Sequence, residues 1–207
     1  MIILGTIQDA GSPHIGCKKK CCINLFNNLD KNRKVVSLGI IDPDNNKSFM
    51  IEASPDITLQ MNELNNLSNQ NHPNGIFITH AHIGHYTGLM YLGKEAMNLK
   101  NFPIYVMPKL KNYLEKNGPW SQLVSLKNIK LISMEPNFKI NITSNISIKP
   151  FLIPHRNEYS ETCGFKIYGP NKKILFIPDI DKWSLWDKNL INEIKKVDIA
   201  LIDGTFY

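Results

Sequence analysis

Three of the six histidines in this 207-residue chain fall within six residues, in the run Thr79-His80-Ala81-His82-Ile83-Gly84-His85. The run follows Ile76-Phe77-Ile78, an apolar stretch that reads as a buried strand. An extended backbone across His80-Ala81-His82 points both imidazoles to one side. His85 lies about one helical turn further on, where the chain can curl back. Neutral imidazoles converging from a strand end and a helix start suit Zn²⁺ or Fe²⁺. Two further donors follow other strand-like runs: His155 after Ile146 to Ile153, and Asp179 after Ile174-Leu175-Phe176-Ile177-Pro178. A lone His or Asp after a strand is an ordinary loop residue. Their shared place at strand ends makes both candidates for the same centre.

Cys17, Cys21 and Cys22 form a second cluster, and Cys163 stands apart in an apparent strand. The apolar start, Met1 to Leu4, stops at Gly5 and meets Asp9 too soon for a signal-peptide core. Reduced thiols in a soluble, cytoplasmic protein are therefore the expectation. Three clustered thiolates suit a structural Zn²⁺, which wants a fourth ligand. The spacing Cys-x₃-Cys-Cys leaves that site open, and His14 is the nearby local candidate. Cys163 reads as a small buried apolar residue. His72, beside Pro73, is expected to do no chemistry, and Trp120, Trp183 and Trp186 read as core or rim.

The elements that must position these residues come from periodicity and punctuation. Val35 to Ile41 and Ser48 to Ala53 flank Asp42-Pro43-Asp44-Asn45-Asn46 and predict a β-hairpin. Ser54-Pro55-Asp56 predicts a helix start with Ser54 as N-cap. Ile57, Met61 and Leu64 supply that helix's apolar face. Further strands are expected at 1–4, 75–79, 103–107, 129–134, 146–153, 163–168, 173–178 and 198–202. Helices are expected at 86–97, 108–116 and 183–195, with a long loop over 5–22. Strand-rich blocks with helices between them predict one mixed α/β layered domain spanning 1–207. Dinucleotide and P-loop glycine patterns are absent.

Composition narrows the partners. Hydrophobic residues make up 43% and charged residues 20%, which is globular rather than disordered. No apolar run approaches the roughly 20 residues of a membrane span. The net charge of +6 is nearly all lysine, with Arg33 and Arg156 the only arginines. Apart from Lys18-Lys19-Lys20 the lysines are scattered, a solvated surface rather than a nucleic-acid footprint.

The His-x-His-x-x-His run, His155 and Asp179 resemble the successive metal motifs of the metallo-β-lactamase superfamily. The closer resemblance is to its subgroup around the pyrroloquinoline-quinone biosynthesis B protein and the carbon–phosphorus lyase phosphodiesterase. It rests on Leu4-Gly5-Thr6, Gly16-Cys17 to Cys22, Ala53-Ser54-Pro55-Asp56-Ile57, Pro154-His155 to Thr162, and Asp203-Gly204-Thr205-Phe206-Tyr207. The resemblance implies an αββα sandwich with metal along one edge of its two sheets. It implies a first metal on His80, His82 and His155, and a second on His85 and Asp179, with Asp179 able to bridge both. It also implies a structural zinc at Cys17, Cys21 and Cys22, whose fourth ligand in related proteins is a His near the C-terminus.

Two departures bear on this. Where the superfamily has an aspartate that ligates the second metal, this chain has Gly84, and Glu52 replaces an aspartate at an early strand end. The expectation is one tight metal and a weak or absent second, with His85 free to act as general acid/base and Asp179 as its catalytic partner. The superfamily's last histidine motif lies downstream of Tyr207, so a further strand-rich segment with a His-x-x-His-like motif is expected, and the fold here is expected to lack its C-terminal part. The implied activity is hydrolysis of a small anionic ester or phosphodiester by metal-activated water, with Zn²⁺, or Fe²⁺ or Mn²⁺, as cofactor. Arg156 and Lys182 are the nearest cationic candidates to meet such an anion. Two other readings stay open: an Fe²⁺-dependent oxidative step in cofactor biosynthesis, and an incomplete metal-binding domain. The expected partner is a small molecule, without nucleic acid or membrane, and a homodimer is left open.

Overall fold

Alternation along the strands decides the architecture. Leu38, Ile40, Phe49, Ile51 and Phe77 point to one face, while Leu4, Met50, Ile76 and Ile78 point to the other. A sheet apolar on both faces must be covered on both. The computed structural model, which describes residues 1–205, shows how. Phe206 and Tyr207, the end of the Asp203-Gly204-Thr205 segment, lie outside the described residues.

Six strands form the first sheet in the order β1 (Ile2–Gly5), β2 (Ser37–Asp42), β3 (Lys47–Ile51), β4 (Ile76–Phe77), β5 (Phe102–Val106), β6 (Ile129–Ser133). Five form the second, in the order β11 (Ile199–Ile202), β10 (Lys173–Ile177), β9 (Cys163–Tyr168), β8 (Ser147–Leu152), β7 (Ile140–Asn141). The first sheet starts antiparallel and turns parallel from β3 onward, as the helical crossovers after β3 and β5 require.

The inner faces meet in one core. Phe77 stacks on Tyr105 at 4.1 Å between ring centroids and meets Phe165 edge-on at 5.9 Å. Leu38, Ile40, Ile148, Ile167 and Phe176 close around them. Fully burying a side chain of this size contributes about 1.5–3 kcal/mol. On the outer face of the first sheet lie α2 (Ile57–Ser68), α4 (Pro108–Lys116) and α5 (Trp120–Ser125), which bury Ile57, Leu64, Leu110 and Leu123. On the outer face of the second, Trp186 and α6 (Leu190–Ile194) cover Phe151, Leu175 and Ile177. The layers therefore run helix, sheet, sheet, helix: the expected αββα sandwich.

Several local expectations change. Ser54 does not cap α2; its hydroxyl accepts from Asp56 N and donates to Gln60 Oε1, while Asp56 is the N-cap residue. The helix expected over 86–97 is instead a single turn, α3 (Ile83–Tyr86), followed by a 3-10 helix over Thr87–Leu92. Gly88 forces this: a Cβ there would stand 2.3 Å from Ser54 O, and its N–H donates to Ala53 O at 2.8 Å. The helix expected over 183–195 breaks into a 3-10 turn, Trp183–Leu185, and α6. Helix α1 (Lys20–Asn27), which carries Cys21 and Cys22, begins inside the loop expected over 5–22, and α5 lies in a stretch for which the sequence pattern predicts no element. No helix among the described residues is long and apolar enough to cross a membrane.

Helix α6 is tied to the second sheet by charge. Glu193 is buried and accepts from Lys166 of β9 and from Lys196. Burial works against its ionisation, but the two ammonium groups outweigh it and push the carboxyl from 4.5 down to about 2. A depressed carboxyl contributes stability fully above its unfolded pKa, and that contribution is lost as pH falls through the folded value. Glu193→Gln is expected to cost about 1–3 kcal/mol at neutral pH. The cost should shrink between pH 4.5 and about 2. Urea denaturation at neutral and acid pH checks this; an equal cost at both would reject it.

Candidate metal centre

The first sheet delivers Thr79 and His80 just past β4, and His82 leads into α3, whose last turn holds His85. The second sheet delivers His155 after β8 and Asp179 after β10. The four histidines and Asp179, all predicted from sequence, converge at one edge of the sandwich. His80 Nε2 lies 2.9 Å from His82 Nδ1, and His155 Nε2 lies 3.0 Å from the same atom. Asp179 Oδ2 is 3.2 Å from His80 Nε2 and 3.8 Å from His155 Nε2. A tetrahedral zinc site with arms of about 2.0–2.1 Å has ligand–ligand edges of about 3.3–3.4 Å. The observed separations bracket that value.

The outer ring atoms are engaged elsewhere, which sets the inner ones. Thr79 N–H donates to Glu52 Oε2 at 3.2 Å and its hydroxyl to Glu52 Oε1 at 2.5 Å. Having given away its one proton, Thr79 Oγ1 accepts from His80 Nδ1 at 2.9 Å. That tautomer leaves His80 Nε2 with a bare lone pair. His82 places Nε2 3.0 Å from Glu158 Oε2, while His155 Nδ1 lies 2.8 Å from Asp181 Oδ1 but off the hydrogen-bond direction. Three imidazole lone pairs then face one point, an arrangement that repels itself unless a cation lies between them. The donor set fits a divalent metal, and the outer partners are the kind that orient metal-bound histidines.

A second donor group adjoins the first. His85 Nε2 is 3.0 Å from Asp179 Oδ2 and 2.7 Å from Asp9 Oδ1. Asp9 comes from the loop after β1 and was missed in the sequence because nothing in its spacing links it to the histidines. Gly84 was the available signal, since its missing side chain leaves a volume that something must fill. His85 is fully buried, and its Nδ1 sits 3.2 Å from Glu52 Oε1, off the hydrogen-bond direction. Burial disfavours charge on His85, yet Glu52, Asp179 and Asp9 outweigh it and raise its pKa. Burial and the neighbouring His85 charge hold His80 down to about 3, so it stays neutral. Burial opposes ionisation of Asp179 too, but the neighbouring His85, through its hydrogen bond and its charge, lowers the carboxyl pKa.

Glu52 stands at the expected strand end, wholly buried, with φ of 73°. Holding a non-glycine residue there costs of order 1–3 kcal/mol. The return is a single carboxylate that engages Thr79 and His85 together. Ser160, also missed, accepts from Ala81 N at 2.9 Å and so fixes the peptide between His80 and His82. Arg156 is exposed beside Glu158, and Lys182 is exposed next to Asp181, so neither reaches into the donor cluster.

The three clustered thiols are brought together as expected, with Cys21 and Cys22 on α1 and their sulfurs 3.8 Å apart. Zinc–sulfur arms of about 2.3 Å give tetrahedral edges of about 3.8 Å. His14 does not join them; its Nδ1 lies 2.8 Å from Ile15 O, and its backbone N–H points at Cys22 Sγ. Cys163 is buried, with its thiol on Thr79 O. His72 sits edge-on to Phe102, and the tryptophans pack against α-layer and aromatic neighbours, apart from both donor clusters.

Residues 47–207 match the model of the beta-lactamase superfamily domain, and the chain belongs to that family. Among solved structures, Zn²⁺-bound PqqB from Methylobacterium extorquens aligns over 99% of this chain and 72% of that one, with a TM-score of 0.78 and 21% identity. A diphosphatase from the PhnP family aligns over 80% of this chain and 60% of that one, with a TM-score of 0.56 and 18% identity. In sequence, the chloroplastic tRNase Z TRZ2 of Arabidopsis thaliana is 27% identical over 132 residues, 62% of this chain. The match spans 35% of that relative's length.

The geometry makes Glu52 the common support of both donor groups. Glu52→Gln keeps the shape but removes the charge and one acceptor. Its metal affinity, measured by competition with a chelator, is expected to fall about 10–100-fold. Unchanged affinity would show that Glu52 only fills space.

Proposed function

We propose that this protein is a metal-dependent hydrolase acting on a small anionic ester or phosphodiester. The observation that carries the reading is the convergence of His80 Nε2, His82 Nδ1, His155 Nε2 and Asp179 Oδ2 on one point at the sheet edge. A divalent ion held there by these residues would lower the pKa of water to about 7 and would polarise an ester or phosphoryl oxygen. Family membership supports hydrolysis in general, and the named activities of the diphosphatase and tRNase Z relatives support a phosphate ester.

The remaining roles fall to this chain's own groups. Asp179 faces both donor clusters, so its carboxylate can orient a reacting water by accepting a hydrogen bond from it. His85, buried against two carboxylates, is placed to carry a proton beside the reacting centre in the absence of a second ion. A groove of about 460 Å³ lined by Thr6, Gln8, Val36 and Asp203 meets the donor cluster at Asp179. None of the groove's described lining residues is cationic, so a substrate's negative charge would have to be met by an ion held on His80, His82, His155 and Asp179. We read zinc as the metal, with iron or manganese as substitutes, and the cysteine cluster as a structural zinc site.

His80→Ala is expected to abolish tight metal binding and turnover of bis-p-nitrophenyl phosphate. Elemental analysis of protein purified without added metal reads the first, and absorbance of released nitrophenol the second. Metal retained beyond the single zinc assigned to the cysteine cluster would sink the site assignment. Iron as the native metal, with no phosphodiester turned over under any divalent ion, would replace hydrolysis by the oxidative reading.

A further inference from the structure

The volume left open by Gly84 is occupied from a distant part of the chain. A Cβ at Gly84 would stand 2.5 Å from Asp9 Oδ1, 2.7 Å from Asp9 Cα and 2.8 Å from Asp9 Cγ. Contacts under about 3 Å are beyond what packed carbon tolerates, so a side chain at 84 and Asp9 exclude one another. The substitution is chemical as well as steric. A carboxylate absent from the histidine run is present, in the same space, on the loop after β1.

We propose that Asp9, His85 and Asp179 form a second divalent-metal site, with Asp9 supplying the carboxylate that Gly84 lacks. The inference rests on the reading of His80, His82 and His155 as a metal centre, and it corrects the expectation of a weak second site drawn from Gly84 alone. Asp9 Oδ1, His85 Nε2 and Asp179 Oδ2 lie within 4.8 Å of one another. Two carboxylates and one imidazole are a borderline-hard set suited to Zn²⁺ or Mn²⁺. A second dication beside the first is repelled, and Asp179 alone must be shared between both. Asp9 brings the additional negative charge that lets both ions stay.

Backbone bonds hold Asp9 for this task. Thr6 N–H and Ile7 N–H both donate to Lys34 O at 3.0 Å, and Val36 N–H donates to Ile7 O at 2.9 Å. Gly11 N–H closes a turn on Gln8 O at 3.0 Å, with Gly11 at φ of 78°, and Asp9 sits inside that turn. The carboxylate is therefore presented by a pinned turn next to β2, not by a free arm.

Metal titration of chelator-treated full-length protein tests the proposal. Counting only ions beyond the one assigned to the cysteine cluster, Co²⁺ absorption and zinc content after dialysis are expected to give two ions per chain for the native protein. Asp9→Asn, nearly isosteric, should keep one tight ion and weaken the second by about 100-fold or more, the upper end for loss of a ligand's support. The double variant Asp9→Gly with Gly84→Asp moves the carboxylate onto α3 and should regain two ions. One ion in the native protein, or two ions at native affinity in Asp9→Asn, would overturn the proposal. So would a folded double variant that takes only one. Phosphodiester turnover on the same samples separates the two readings. Two ions without turnover breaks the hydrolase reading and leaves Asp9 standing, whereas turnover with two ions in Asp9→Asn does the reverse.

Discussion

One carboxylate oxygen joins everything at the edge of this sandwich. Asp179 Oδ2 lies 3.0 Å from His85, 3.2 Å from His80 and 3.8 Å from His155. It is carried by the second sheet, and two of its three histidines come from the first. The sheets must therefore pack in one register for the contact to exist. The aromatic core of Phe77, Tyr105 and Phe165 sets that register, directly beneath the histidine run. Packing and chemistry are thus one constraint: Phe77 is buried in the core, and three residues later His80 is in the site.

The supports behind the site follow an economical plan. Glu52 serves Thr79 and His85, and Thr79 in turn fixes the tautomer of His80. Glu158 and Asp181 serve His82 and His155. His80 and His82 are each hydrogen-bonded to an oxygen on the outer side, which turns their inner nitrogens toward the site, and Asp181 lies beside the outer nitrogen of His155. A strained backbone at Glu52 is the cost of reaching two elements with one side chain.

Much of this was legible in the sequence, for physical reasons. Strand periodicity has a period of two, and the alternation through Leu38, Ile40, Phe49 and Ile51 announced both sheet faces. The three histidines were legible because local spacing encodes convergence. Asp9 and Ser160 were not, because each meets the histidine run only through tertiary packing. The helix expected after Tyr86 failed for a related reason. Its apolar pattern suited a helix, but Gly88 had to press against Ser54 O, and a 3-10 turn makes that approach possible. Glu52 was visible as an altered residue, yet its double engagement was not, since one letter does not reveal a backbone at positive φ.

The placement of Asp9 and Asp179 has a consequence for how the protein folds. One stands near the start of the chain and the other toward its end, on different sheets. Contacts between segments so far apart in sequence carry a large loop-closure cost and belong to the late, topology-limited part of folding. The pairing of Asp9 and Asp179 with the histidine run is therefore a non-local feature. A bound ion would stabilise the finished sandwich in proportion to its affinity and do little for any partly folded form. In that sense the edge of the sheets acts as a latch that only the completed topology can close.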